Sequence, residues 1–188
     1  MRIIAGDFRG RRLKTLSGLA VRPTSDKLRE TIFNILQAEV PASVFIDCYA
    51  GSGAVGLEAL SRGASEVFFI EKASAAARTI QENITALGAS PGRLIRTEVR
   101  AALRQLEAEG VRADLCFLDP PYKDLADALQ AIEWIAQSSL MKADGRIILE
   151  HARRDTVTEH LGAGPAGWNR TRLVEQGSSA LSFYRRNS

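Results

Sequence analysis

The sequence is poor in the residues that build metal centres and disulfide scaffolds. Its 188 residues hold two cysteines, Cys48 and Cys116, and two histidines, His151 and His160. Two cysteines far apart in the chain make neither a disulfide framework nor a zinc cluster. Both lie in apolar runs, where a thiol packs as a small hydrophobe. The isolated histidines offer no ligand spacing, so no metal is expected. No apolar run approaches the ~18 residues of a membrane span. The N-terminal MRIIAGDFRG is interrupted by Gly6, Asp7 and Arg9 before a secretory core can form. A cytoplasmic protein with no membrane partner is expected. Internal repeats, linkers and low-complexity stretches are missing too. With 45% apolar and 25% charged residues, the chain has globular composition and length for one domain with a real core.

Net charge is also small, +3, but it is unevenly placed. Residues 1–30 carry eight Lys and Arg against three Asp and Glu, a local +5 that leaves −2 for the other 158 residues. A basic segment on a near-neutral body points to a polyanionic partner; the alternative is a solvated arm that touches nothing.

Short β-prone pieces at 2–5 and 11–14 flank Asp7 to Gly10 and read as a hairpin. In RPTSDKLRETIFNIL, Pro23 and Thr24 signal a helix start, with Asp26 in the first turn. Leu28, Ile32, Ile35 and Leu36 form one apolar face, and Pro41 stops the helix. Strands at 44–48, 66–71, 93–97, 113–118 and 145–150 then alternate with helices at 54–62, 73–87, 99–109 and 124–138. Gly63, Gly88 and Gly110 stand where helix C-caps belong. Near-continuous apolar strands separated by helices imply a parallel sheet covered on both faces. RTRLVEQ and ALSFYRR, split by Gly177, Ser178 and Ser179, read as an antiparallel hairpin closing the sheet. The fold is therefore α/β, with residues 1–22 a basic hairpin extension on a domain spanning 23–188. Trp134, in an apolar helix, and Trp168, in a loop, read as packing.

Two stretches carry chemistry. DCYAGSGAVG, residues 47–56, is a G-x-G-x-x-G between a strand and a helix. In an open parallel sheet, ligands sit at the carboxyl ends of strands, near the point where strand order reverses. Ala50, Gly51 and Gly53 form the loop there; glycine lets backbone approach a ligand, and the helix start offers free N–H groups. Glu71, ending the next strand, can accept hydrogen bonds from the ribose hydroxyls of an adenosine cofactor. A nicotinamide enzyme and a methyl-transfer enzyme both fit. Asp47 favours the second, because an anion there repels a pyrophosphate and attracts a sulfonium and ammonium. A carboxylate capping loop amides is compatible with either.

The second stretch is LCFLDPPYKD. Asp119, Pro120, Pro121 and Tyr122 follow a buried strand at its carboxyl edge. Prolines keep the loop out of helix. A carboxylate and a proline carbonyl can then hold both hydrogens of an exocyclic amine, and a tyrosine face can stack on the ring that bears it. Holding the hydrogens favours a pyramidal nitrogen, whose lone pair can attack a methyl group in line.

DCYAGSGAVGLEALSRGA, IEK and LDPPY resemble S-adenosylmethionine-dependent amino-methyltransferases. MRIIAGDFRGRRL and RPTSDKLRETIFN resemble the RsmD family, guanine-N2 methyltransferases of bacterial small-subunit (16S) ribosomal RNA, along the whole chain. The resemblance implies a Rossmann-like class I methyltransferase with a seven-stranded, mostly parallel sheet, an antiparallel last strand and helices on both faces. It implies S-adenosylmethionine as methyl donor, with S-adenosylhomocysteine as product. Asp47, Gly51 and Gly53 would surround the methionine end and Glu71 the ribose. Asp119, Pro120 and Tyr122 would surround the guanine amine. Thr24 would lie near the cofactor carboxylate, and Arg22 and Arg29 near cofactor or RNA. Glu98 stands where this family usually ends its third strand in Asp or Asn, and Lys72 where an apolar residue would cover the adenine; its alkyl stem can do so. Arg9, Arg11 and Arg12 of the basic arm would hold RNA phosphates, and the target base must leave its helix to react. The implied substrate is an assembled or assembling ribosomal particle, and the protein is expected to be a monomer. Three other readings remain: a nicotinamide oxidoreductase, a non-catalytic RNA-binding domain, and methyl transfer to an adenine amine or a protein glutamine.

Overall fold

The computed structural model describes residues 1–15, 25–121, 124–163 and 167–187. The apolar runs become strands buried along almost their whole length: β1 (Val44–Cys48), β2 (Glu66–Ile70) and β4 (Ala113–Leu118). Such strands need cover on both faces, and helices supply it. The helices are α1 (Asp26–Ile35), α2 (Ala54–Ser61), α3 (Ser74–Leu87), α4 (Val99–Ala108) and α5 (Leu125–Gln137). Strands β3 (Gly92–Ile95), β5 (Met141–Ala152), β6 (His160–Leu161), β7 (Trp168–Gln176) and β8 (Ser179–Arg186) complete one sheet in the order β3–β2–β1–β4–β5–β8–β7–β6. Strands β1 to β5 are mutually parallel, and β8 enters antiparallel between β5 and β7. The chain grows outward from β1 to β3, then returns to lay β4 on the other side of β1. The order thus reverses between β1 and β4, where an open sheet leaves a crevice at its carboxyl edge.

The expected seven strands are present. An eighth, β6, adds two residues to the edge of β7, too short a run to carry a sequence pattern. Strand β5 starts four residues before the expected 145, because a register shift opposite Ala113 and Leu115 lets Met141 pair as well. Trp168 is no loop residue: it opens β7, fully buried, with the Arg186 guanidinium 5.5 Å from its ring. Helix α1 starts one residue beyond Ser25, whose side chain accepts the Leu28 N–H at 3.1 Å, as an N-cap does.

Two cores result. Helices α1, α2 and α3 cover one face, joined by Ile3 and Leu13 of the N-terminal segment. Helices α4 and α5 cover the other, with Trp168 and Tyr184. The N-terminal segment is a hairpin with one antiparallel bridge, Arg2 to Arg12. Its two arms are joined by Ile3 N–H to the Arg11 carbonyl at 3.0 Å, Gly10 N–H to the Ile3 carbonyl at 2.9 Å and Leu13 N–H to the Met1 carbonyl at 3.1 Å, and it is also fastened to the helices. The Ile4 and Ala5 N–H groups donate to the two oxygens of Glu58, at 2.8 and 3.0 Å. Asp7 N–H donates to the Ser61 carbonyl, and Phe8 N–H to the Ser61 hydroxyl.

Candidate active site

The loop after β1 is held by bonds that its sequence spacing allows. Ala50 N–H donates to the Ile70 carbonyl at 3.0 Å, Gly53 N–H to the Ala50 carbonyl at 2.7 Å, and Gly51 N–H to a Glu71 oxygen at 2.9 Å. The other Glu71 oxygen accepts Ala73 N–H at 2.7 Å. Glu71 therefore spans the ends of β1 and β2 and is in place beside the loop. The glycines serve different ends. Gly51 has φ +57°, and a Cβ there would meet nothing nearer than the Tyr49 carbonyl at 4.0 Å, so its outer face is open. Gly53, with φ +79°, lies against Ile80 and Phe69 of the core. Gly56 lets α2 settle on the sheet, since a Cβ would fall 2.3 Å from the Phe69 ring.

Asp47 is 2% exposed, and its carboxylate accepts the Gly56 N–H at 2.8 Å. It thereby caps the first turn of α2, whose own N-cap, Gly53, has no side chain to do so. Burial pushes its carboxyl up to about 8, and the nearby charges of Asp119 and Glu71 push the same way against the Gly56 bond. Three carboxylates thus converge at one sheet edge. Such a site stabilises a cation, and a sulfonium and ammonium placed here would relieve the repulsion.

Asp119 follows β4 and is half-buried; its N–H approaches the Cys48 carbonyl at 3.5 Å. Pro120 is buried and Pro121 exposed, and the Pro121 carbonyl accepts the Asp124 N–H at 2.7 Å just before α5. The DPP loop therefore lies directly beside the end of β1. Tyr122, Thr24 and Arg22 fall outside the described residues.

Lys72 and Glu98, expected around an adenine, pair with each other at 3.3 Å across the ends of β2 and β3, and both are exposed. The bond to Glu98 raises the Lys72 ammonium above its ordinary range. Arg9, Arg11 and Arg12 are exposed, and Arg11 also donates to the Ala86 carbonyl at 2.7 Å. Arg29 requires a correction. Expected at cofactor or RNA, its guanidinium is fully buried, 3.1 Å from Asp26 and 3.7 Å from Glu58, and it donates to the Arg2 carbonyl at 2.6 Å. It is a strut between α1, α2 and the N-terminal segment, inaccessible to RNA. Cys48 and Cys116 meet, with their sulfurs 3.8 Å apart in the buried sheet.

Three side chains at the site carried no sequence signal. Tyr49 adopts φ +60°, which is rare for a bulky residue, and packs half-buried against the α4–α5 core. Burial raises its hydroxyl, and Cys48, Asp127, Asp124 and Glu98 add to the effect. Glu58 reads as an ordinary helix glutamate, and Asn83 as an ordinary α3 surface residue. Only their burial sets them apart: Glu58 is 0% and Asn83 2% exposed.

Comparison with known proteins follows the same lines. A family model described as conserved hypothetical protein 95 matches residues 1–185. The chain is 37% identical to ribosomal RNA small subunit methyltransferase D of Haemophilus influenzae, over 97% of this chain and 91% of that one. It is 32% identical to the Escherichia coli K12 protein of the same name, over 100% and 91%. The solved structure of yhhF from Escherichia coli superposes with a TM-score of 0.83 at 32% identity, covering 100% of this chain and 98% of that one.

Proposed function

This chain belongs to the conserved hypothetical protein 95 family, and from that membership we propose that it transfers a methyl group from S-adenosylmethionine to the exocyclic N2 amine of a guanine in small-subunit ribosomal RNA. The observation that carries this reading is the adjacency of two strand ends. The glycine loop after β1 and the Asp119–Pro120 loop after β4 lie side by side, linked by Asp119 N–H at 3.5 Å from Cys48 O.

S-adenosylmethionine, when bound, supplies an electrophilic methyl group on a sulfonium. The chain's own residues do the rest. Asp47, Glu71 and Asp119 lie together at this edge, and a bound cation, unlike a pyrophosphate, favours the ionised form of Asp47. Gly51 leaves its outer face open for a ligand's approach. Asp119 and the Pro120 carbonyl accept the two amine hydrogens, which keeps the nitrogen lone pair out of the ring and aimed at the loop. The methylated nitrogen is strongly acidic and gives its proton to Asp119 or to water, so no strong base is needed. Arg9, Arg11 and Arg12 contact RNA phosphates, which position the substrate without reading its sequence. An assembled or assembling particle is the substrate form, and the protein acts as a monomer.

The test supplies radiolabelled methyl donor with small-subunit RNA and particles from cells lacking this protein, followed by nucleoside analysis. Label in N2-methylguanosine is expected. Label in N6-methyladenosine would move the acceptor, and no label in RNA would overturn the reading.

A further inference from the structure

One buried carboxamide touches both the N-terminal segment and the glycine loop. Asn83, on α3, accepts the Lys14 N–H at 2.8 Å through Oδ1. Its Nδ2 donates to the Lys14 carbonyl at 3.1 Å and to the Ser52 carbonyl at 3.0 Å. The two bonds to Lys14 grip that residue's backbone as a facing strand would. Both hydrogens of one planar NH2 group are thereby used, one on the segment and one on the loop. No soft torsion separates them. A shift of Lys14 must therefore move Ser52 or break a hydrogen bond of Asn83, which is 2% exposed.

Ser52 sits between Gly51 and Gly53, both at positive φ, so the loop has little side-chain packing of its own to fix it. Its other anchors are the Gly51 bond to Glu71 and the Gly53 bond to Ala50. The N-terminal hairpin is closed by backbone bonds of its own, Ile3 N–H to Arg11, Gly10 N–H to Ile3 and Leu13 N–H to Met1, and is tied to Glu58 and Ser61 on α2 and to Asn83 and Ala86 on α3. The hairpin and the loop share one anchor, Asn83.

We propose that Asn83 is a positioning residue through which the basic hairpin and the cofactor loop share one ordered state, so that RNA on the hairpin tightens cofactor binding and cofactor tightens RNA binding. The proposal rests on the reading of the hairpin as an RNA contact and of the loop as the cofactor seat. A ligand that fixes one segment removes part of the ordering cost of the other. Linkage requires the same factor in both directions.

The experiment measures S-adenosylhomocysteine affinity with and without small-subunit ribosomal RNA, and RNA affinity with and without S-adenosylhomocysteine. It compares wild type, Asn83→Ala and Asn83→Asp. The aspartate keeps an acceptor for Lys14 N–H but can donate neither to Ser52 nor to the Lys14 carbonyl, so it frees the loop while keeping one of the two bonds to the hairpin. In the wild type each ligand is expected to tighten the other about fivefold or more, by equal factors. In both variants the factor falls to about one. A merely structural asparagine would lower thermal stability and leave the factor unchanged. Equal factors in wild type and in either folded variant overturn the proposal, and so does a wild-type factor of one, which needs no variant. Methyl transfer to the same RNA is followed alongside. Wild type that methylates but shows no coupling defeats only the role of Asn83; wild type that neither binds nor methylates RNA defeats the functional reading and this proposal with it.

Discussion

The carboxyl group of Asp47 is buried at the end of β1 with Asp119 and Glu71 as charged neighbours, and it accepts the Gly56 N–H. Of the two roles the sequence left open for Asp47, capping is present, through the Gly56 N–H in the first turn of α2. Its carboxyl is raised to about 8, well above the ordinary aspartate value, so it takes up a proton on folding. Below about pH 4 it is protonated in both states. Between about 4 and 8 the unfolded chain loses the proton and the folded one keeps it, so this group's contribution to stability falls as pH rises through that window. The melting temperature of ligand-free wild type should therefore decline between pH 4 and 8 more than that of Asp47→Asn, which keeps an acceptor for Gly56. Parallel curves would show that Asp47 ionises normally. A bound cation reverses the preference and expels the proton, so S-adenosylmethionine affinity should rise with pH up to about 8 in wild type only. Asp119 tests the chemistry itself. Asp119→Ala removes one amine acceptor and is expected to lower the methyl-transfer rate by roughly 10²–10³-fold, with S-adenosylhomocysteine affinity nearly unchanged. A small rate loss would leave the amine's orientation to other groups.

At the scale of elements, α2 shows how far periodicity reads and where it stops. Strands and helices of the central sheet were legible because apolar runs and amphipathic faces must be buried in one way. The strand at 44–48, the glycine turn and the acid at the next strand end all stand where their spacing put them. The sequence pattern does not say, however, that all eight residues of α2 are buried, Glu58 included. AVGLEALS looks like a helix with one wet face. That face is covered by residues 3–8, whose backbone donors Glu58 and Ser61 accept, a pairing of positions more than fifty apart that no local rule encodes. Glu58 also lies 2.8 Å from Arg62 and 3.7 Å from the buried Arg29. Arg29 Nε and Nη1 have no hydrogen-bond partner among the described residues, and Glu58 and Asp26 are the carboxylates that compensate this cation there. Removing one member of a buried pair strands the other. Glu58→Ala should cost about 3–5 kcal/mol in urea denaturation. Asp26→Ala, which removes a carboxylate more than half exposed, should cost about 1 kcal/mol or less. Equal losses would mean that Arg29 is solvated in solution.

Across the whole molecule, charge and topology divide the work. The reacting edge gathers carboxylates from β1, β2 and β4, which suits a cationic ligand and repels RNA phosphates. The positive charge lies apart from it, on the hairpin that covers α2 and α3. The charge asymmetry was legible from composition, but which cations are available was not, since that depends on packing: Arg29 is withdrawn into the core while Arg9, Arg11 and Arg12 stay in solvent. On the proposed function, RNA is held from the hairpin side and presents its base to the acidic edge, with affinity supplied away from the chemistry. Reversing Arg9, Arg11 and Arg12 to glutamate takes the net charge from +3 to −3. If each contacts a phosphate, the slope of log affinity against log salt should flatten by roughly 2–3, and the methylation KM for RNA should rise far more than kcat falls. Arg11 also holds the Ala86 carbonyl, so the pair Arg9→Glu and Arg12→Glu, which spares that bond, separates lost docking from lost attraction. It should keep about two thirds of the slope change with an unaltered melting temperature. An unchanged salt slope in both variants would place RNA on another surface and leave the hairpin as a clasp for α2 and α3 alone.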